Sequence, residues 1–116
     1  MQVGKIKSLL NAEILLGEHF LEREVKSAFG SDLMSDVLAY VDDESVLLTG
    51  LVNQQVIRTA EMLDLKTIVF VRGKKPGEDV IELAKEHNMV LLMTNLTLYT
   101  TSGILYSNGL KGINIG

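Results

Sequence analysis

The chain contains no cysteine, so a disulfide framework, a thiolate nucleophile and a cysteine-ligated zinc site are all closed to it. That usage suits a reducing cytosol, and a cytoplasmic location is expected. Long apolar runs are missing as well. Nowhere do about 18 uninterrupted apolar residues occur, and residues 1–16 alternate charge with short apolar stretches, so neither a signal peptide nor a membrane span is expected. Positive charge is in deficit: 11 Lys and Arg stand against 15 Asp and Glu, a net charge of −4. Binding duplex DNA or RNA requires broad phosphate neutralisation, so a general nucleic-acid binder is not expected. Histidine is scarce too. His19 and His87 are the two imidazoles, and neither has the HxxxH or HExxH spacing by which one helix face holds a metal. Each reads as a surface or core-edge histidine, and no metal and no cofactor are expected.

What is present is a foldable chain: 47% of its 116 residues are apolar and 22% are charged, which excludes disorder and leaves room for one domain, residues 1–116. Residues 6–10 read as a short helical turn. Residues 12–16 form an apolar run closed by Gly17, taken as a buried strand that opens the first βα unit. Residues 25–29 read as a second strand, after which Gly30 and Ser31 make a turn and Asp32 serves as the N-cap of a helix. In that helix Leu33, Met34, Val37, Leu38 and Val41 share one face.

From residue 45 one grammar repeats. Residues 45–49 are an apolar strand broken by Gly50, and residues 53–63 carry Val56, Ala60 and Leu63 at helical spacing. Residues 67–71 are a β-branched strand, 73–77 a loop, and 78–87 a helix with Val80, Leu83, Ala84 and His87 on one side. Residues 89–93 are a further strand, and 95–106 a loop and helix ending near Asn108 and Gly109. Residues 111–116 either return as an edge strand or trail. Short strands alternating with helices of about ten residues predict an α/β fold, a three-layer α/β/α sandwich with a mainly parallel sheet. Right-handed crossovers then bring the loops after Thr49, Val71 and Met93 to the carboxyl edge of that sheet, where such folds bind small ligands.

These loops carry a resemblance. The stretch Val46-Leu-Leu-Thr-Gly50, the helix over residues 54–63, the segment Ile68-Val-Phe-Val-Arg-Gly73, the helix over residues 80–87 and the strand leading to Thr94 together resemble the DRTGG domain family. The resemblance covers most of residues 30–110 and implies the MurF/HPr-kinase N-domain-like fold, similar to the N-terminal domain of HPr kinase/phosphorylase. The name-giving residues are largely replaced: Leu51 and Val52 follow Thr49 and Gly50, and Val71, Arg72 and Gly73 stand where the family favours Thr-Gly-Gly. The resemblance implies a non-catalytic regulatory or scaffolding module. Such domains accompany phosphotransacetylases and regulated pyrophosphatases or stand alone, and their association with subunit pairing in the pyrophosphatases implies a homodimer.

Searches for catalytic chemistry return little. The loop Gly73-Lys-Lys-Pro-Gly77 lacks the Gly-Lys-Ser/Thr ending of a phosphate loop, and no GxGxxG fingerprint is present. Thr94, Thr97, Thr100, Thr101 and Ser102 have no GxSxG setting, and their plainer role is helix capping. Asp42, Asp43 and Glu44 read as a solvent-facing loop, and Asp32 and Asp36, one helical turn apart, are too few ligands for a cation site. One constellation remains. Thr49, Gly50 and Asn53, then Arg72, Gly73 and Lys74, then Thr94, Thr97 and Thr101 converge at the carboxyl edge, where helix N-termini add partial positive charge. Arg72 is either the bidentate anchor of a small anion or nucleotide phosphate, or the partner of a carboxylate from the same or another chain.

The apolar share exceeds what a small domain readily buries, which points to a symmetric dimer. Residues 33–41 and the final helix, with Leu98, Tyr99, Ile104, Leu105 and Tyr106, are the candidate interfaces, and a charge at Leu105 is expected to disrupt assembly. The expected function is a non-catalytic, homodimeric regulatory module that senses a small anion or nucleotide and signals to a partner enzyme or signalling protein. The alternative is a ligand-free docking subunit of a redox or signalling complex. An enzyme acting on a phosphorylated substrate ranks last, because no base, nucleophile or metal site is legible.

Overall fold

A strand buried along its whole length needs cover on both faces, and two strands here meet that condition: β3 (Ser45–Thr49) and β4 (Thr67–Phe70) bury every residue. The computed structural model describes residues 1–114 and shows how the cover is supplied. The chain runs α1 (Val3–Leu10), β1 (Glu13–Leu16), a 3-10 turn at Glu18–Phe20, β2 (Ser27–Gly30), α2 (Met34–Tyr40), β3, α3 (Gln54–Leu63), β4, α4 (Glu78–Lys85), β5 (Val90–Met93) and α5 (Leu98–Ser107). The five strands form one sheet in the order β1-β5-β4-β3-β2.

Strands β2 to β5 are mutually parallel and lie side by side in sequence order. Successive right-handed crossovers in one direction must all pass over the same face, so α2, α3 and α4 share one layer. Alternation sorts the side chains accordingly. Leu47, Ile68, Phe70 and Leu91 meet Val37, Val56, Ala60 and Ala84 on that face. Val46, Leu48, Val69 and Leu92 turn the other way and meet Ile6 and Leu10 of α1 and Leu105 of α5. The result is the three-layer α/β/α sandwich with a mainly parallel sheet.

Three differences from the sequence-based expectation have physical causes, and one alternative left open there is narrowed. β1 opens no βα unit: it lies antiparallel to β5 at the outer edge, with an irregularity between Ile14 and Leu16, and a 3-10 turn follows it. α1 starts at Val3, earlier than residue 6, because backbone carbonyls from a distant segment satisfy its first donors. The Val3 N–H reaches Arg23 O at 2.9 Å and the Gly4 N–H reaches Leu21 O at 2.8 Å. In α2, Met34 and Val37 are buried with the following Val41, whereas Leu33 and Leu38 are exposed. The face is therefore narrower than the five-residue stripe. Near the C-terminus, Gly112 makes a single parallel bridge to Ala28 beside β2, a contact short of a strand; residues 115 and 116 lie outside the described part.

Candidate functional site

Parallel strands end at one rim, and the backbone ties the rim together. The Val71 N–H donates to Thr49 O at 3.0 Å, the Arg72 N–H to Leu96 O at 2.8 Å and the Gly73 N–H to Thr94 O at 2.8 Å. The loops after β3, β4 and β5 therefore open side by side. The same bonds place Arg72 and Gly73 in the left-handed region, at φ 60° and 67°. For a residue with a side chain that conformation costs on the order of 1–3 kcal/mol, and here the two cross-loop hydrogen bonds offset it. Because both N–H groups are consumed, this loop offers an anion its guanidinium and not its backbone.

The guanidinium lies flat against Gly50. A Cβ built at Gly50 stands 2.5 Å from Arg72 Nη2 and 2.8 Å from Cζ, so glycine here supplies space and not an unusual backbone angle. Across from it sits Asp32. Its Oδ1 accepts the Thr49 hydroxyl at 2.8 Å and the Gly50 N–H at 2.7 Å, and its Oδ2 faces Arg72 Nη1 at 4.0 Å. Burial alone pushes this carboxyl up. The Gly50 N–H, the Thr49 hydroxyl, the Arg72 guanidinium and the Leu51 N–H outweigh it and hold the pKa below the usual carboxylate range. Asp32 thus remains ionised at neutral pH.

This corrects the reading of Asp32 as a helix cap. The residue at the N-cap of α2 is Leu33, the local turn is made by Ser31 Oγ accepting the Leu33 N–H at 3.0 Å, and Asp32 reaches 18 residues along the chain instead. Sequence reasoning left Asp32 out of the rim. The available signal was that β2 is itself a parallel strand, so the loop carrying Asp32 opens beside the others.

The remaining candidate residues divide by what their side chains hold. Asn53 Oδ1 caps α3 through the Gln55 N–H at 3.0 Å, and Thr97 Oγ1 caps α5 through the Thr100 N–H at 3.3 Å. Thr94 is buried and donates to Leu10 O at 2.9 Å, tying the end of β5 to the end of α1. Thr101 is fully buried with its hydroxyl unpartnered. Lys74 is exposed at the loop tip. Of the first turns of the four helices entering from the rim, those of α3 and α5 carry no acidic residue, whereas α2 has Asp36 and α4 begins with Glu78 and Asp79, which discourage an anion there. The side chains that face one another at the rim are those of Asp32, Thr49 and Arg72, gathered around Gly50.

Neither histidine joins them: His87 Nε2 lies 3.3 Å from Glu61, and the His19 ring stacks against Phe20. Among the described residues no cluster of three or more His, Asp or Glu is placed to hold a metal ion, and no helix is long and apolar enough to cross a membrane. Concavity and charge chemistry also part company. An open groove of about 560 Å³ runs along α5, lined by Tyr99, Thr100, Ser102, Gly103, Tyr106 and Ser107. Its lining holds no Asp, Glu, His, Lys or Arg.

A doubly covered, mainly parallel sheet whose carboxyl rim sets Arg72 beside Asp32 defines a small three-layer α/β module. The chain belongs to the DRTGG domain family, whose model matches residues 5–107. Among solved structures it is similar to the CBS and DRTGG domains of the regulatory region of Clostridium perfringens pyrophosphatase, a structure complexed with the activator diadenosine tetraphosphate. The TM-score is 0.71 at 17% identity, covering 90% of this chain. This chain corresponds to 45% of that one, and at such identity the likeness concerns the fold. No curated protein matches the chain.

Proposed function

We propose that this chain is a non-catalytic regulatory module that receives a small anion or nucleotide phosphate at Arg72 and pairs with a second copy of itself through α5. The observation that carries the ligand clause is the setting of Arg72: a left-handed residue pinned by Leu96 O, its planar fork laid on Gly50 and left half-exposed. A guanidinium that only closes an internal ion pair does not need that constraint, and its nearest carboxylate oxygen stands 4.0 Å away. Membership of a family with a regulatory pyrophosphatase domain as structural neighbour supports the regulatory reading, and signalling to a partner enzyme follows from it.

Pairing is supported by α5. Tyr99 and Tyr106 are 89% and 59% exposed and flank Gly103, and the helix itself carries no charged residue, the nearby charge being Lys111 Nζ 4.1 Å over the Tyr106 ring. Leu105, expected at this interface, is fully buried against the sheet instead, so a charge there damages the core before it reaches any partner. The same face supports a second reading, a docking subunit without a small ligand.

A thermal-shift panel of nucleotides, sugar phosphates and inorganic phosphate separates them. A ligand at about 100 times its Kd stabilises by roughly 2.7 kcal/mol, a shift readily seen in a melt. Stabilisation that Arg72→Ala removes supports the sensor; no stabilisation by any probe leaves the docking subunit.

A further inference from the structure

The rim is not a simple cation. Asp32 Oδ1 is occupied by the Thr49 hydroxyl at 2.8 Å and the Gly50 N–H at 2.7 Å, which prevents the carboxylate from swinging aside when another anion arrives. Its Oδ2 is turned to Arg72 Nη1 at 4.0 Å, too far for a hydrogen bond, and both side chains are 47% exposed. An incoming molecule therefore meets an acceptor with unused capacity and a planar donor with unused capacity, side by side.

A phosphate monoester dianion that carries no donor of its own, such as methyl phosphate, is drawn to Arg72 and repelled at similar range by Asp32, so much of the attraction cancels. A phosphate whose own scaffold carries a hydroxyl next to it escapes that cancellation. Its anionic oxygens meet the guanidinium and its O–H donates to Asp32 Oδ2, a charge-assisted hydrogen bond that turns the repelling group into a contact. We propose that the rim selects phosphate esters bearing an adjacent hydroxyl or amine donor, nucleotides or sugar phosphates, over anions without one. The inference rests on the anion site proposed above and names its ligand class. The depressed Asp32 pKa is consistent with it, since only the ionised carboxylate discriminates in this direction.

The test is calorimetric titration of the full chain with four probes: adenosine 5′-monophosphate, ribose 5-phosphate, methyl phosphate and inorganic phosphate. In the wild type both hydroxylated esters are expected to bind about ten to a hundred times more tightly than methyl phosphate, the range of a hydrogen bond to a charged group. Adenosine monophosphate alone exceeding methyl phosphate assigns the gain to the base, which ribose 5-phosphate lacks, and overturns the selection. Asp32→Asn keeps an acceptor for Thr49 and Gly50 but removes the charge. It is expected to bring all four probes within about threefold of one another, by weakening the esters and strengthening methyl phosphate. Equal wild-type affinity for methyl phosphate and both esters, all lost in Arg72→Ala, overturns the selection while the anion site stands. No binding of any probe overturns both. The wild-type comparison needs no variant, so a poorly folding Asp32→Asn leaves the test decisive.

Discussion

Arg72 and Gly50 are packed so closely that the guanidinium of one occupies the space where a side chain of the other would begin: a Cβ at Gly50 falls 2.5 Å from Nη2. Gly50→Ala therefore separates binding from folding. The clash is with the far end of a flexible side chain, and Gly50 is not among the positive-φ residues, so the backbone accepts alanine. Loss of chain entropy in the unfolded state favours the variant by about 0.4–1 kcal/mol. Gly50→Ala is expected to melt within a few degrees of wild type, at about 4–8 °C per kcal/mol, while losing the stabilisation by the proposed phosphate ligand. Full retention of that stabilisation contradicts the placement of the ligand on Arg72.

Asp32 links the same rim to pH. Its folded-state pKa lies below the unfolded value near 3.9, so the stability it contributes is complete above that value and disappears as pH falls through the lower folded value. Asp32→Asn lacks this contribution. With the group half-exposed, solvent screening limits it to about 1 kcal/mol or less. Urea unfolding at stepped pH is expected to give a wild-type advantage that is flat from about pH 7 to 5 and shrinks below about pH 4. An advantage that grows on acidification contradicts the assignment.

Two of the three buried threonines of the constellation make opposite predictions. Thr94 Oγ1 is committed to Leu10 O at 2.9 Å in a buried setting, so Thr94→Val strands that carbonyl and is expected to cost about 1–3 kcal/mol. Thr101 Oγ1 has no partner and is fully buried, so Thr101→Val exchanges an unsatisfied hydroxyl for a methyl of similar size. That variant is expected to be neutral or more stable by about 1 kcal/mol. Thermal melts of the two decide it: a destabilised Thr101→Val means that the hydroxyl has a bonded role.

From residue 45 onward the fold was legible because local and global signals agree. Strands β3, β4 and β5 are β-branched or leucine-rich runs, and Gly50 and Gly77 stand between strand and helix. The first 44 residues were harder. Three apolar residues in β1, Ile14 to Leu16, carry no direction, so an antiparallel edge strand and the start of a βα unit look alike. The first turn of α1 is held by carbonyls of Leu21 and Arg23, which no local cap announces. At the rim, Thr49, Gly50 and Arg72 follow from strand order alone, whereas Asp32 needed the knowledge that β2 is parallel to β3. Leu105 shows the limit of reading a helix without charged residues: the apolar and hydroxyl side chains of α5 form no clear stripe to mark which side meets the sheet.

The proposed pairing surface has a test that spares the monomer. Gly103 lies in the middle of α5 with nothing within 4 Å of a Cβ built on it, so a long side chain fits the isolated chain without displacing anything. Replacing a helical glycine also raises intrinsic helix stability by up to about 1 kcal/mol. Gly103→Arg is therefore expected to melt at or above wild type. If a second copy seats its own α5 in the groove between Tyr99 and Tyr106, the same substitution places two arginines, one from each copy, near the two-fold axis. Steric overlap and like charge then act together against association. Sedimentation or light scattering is expected to find wild type as a dimer and Gly103→Arg as a well-folded monomer. A dimer that survives the substitution moves the interface to another face, with the exposed Leu38 and Tyr40 of α2 and Met62 of α3 as the next surface to change.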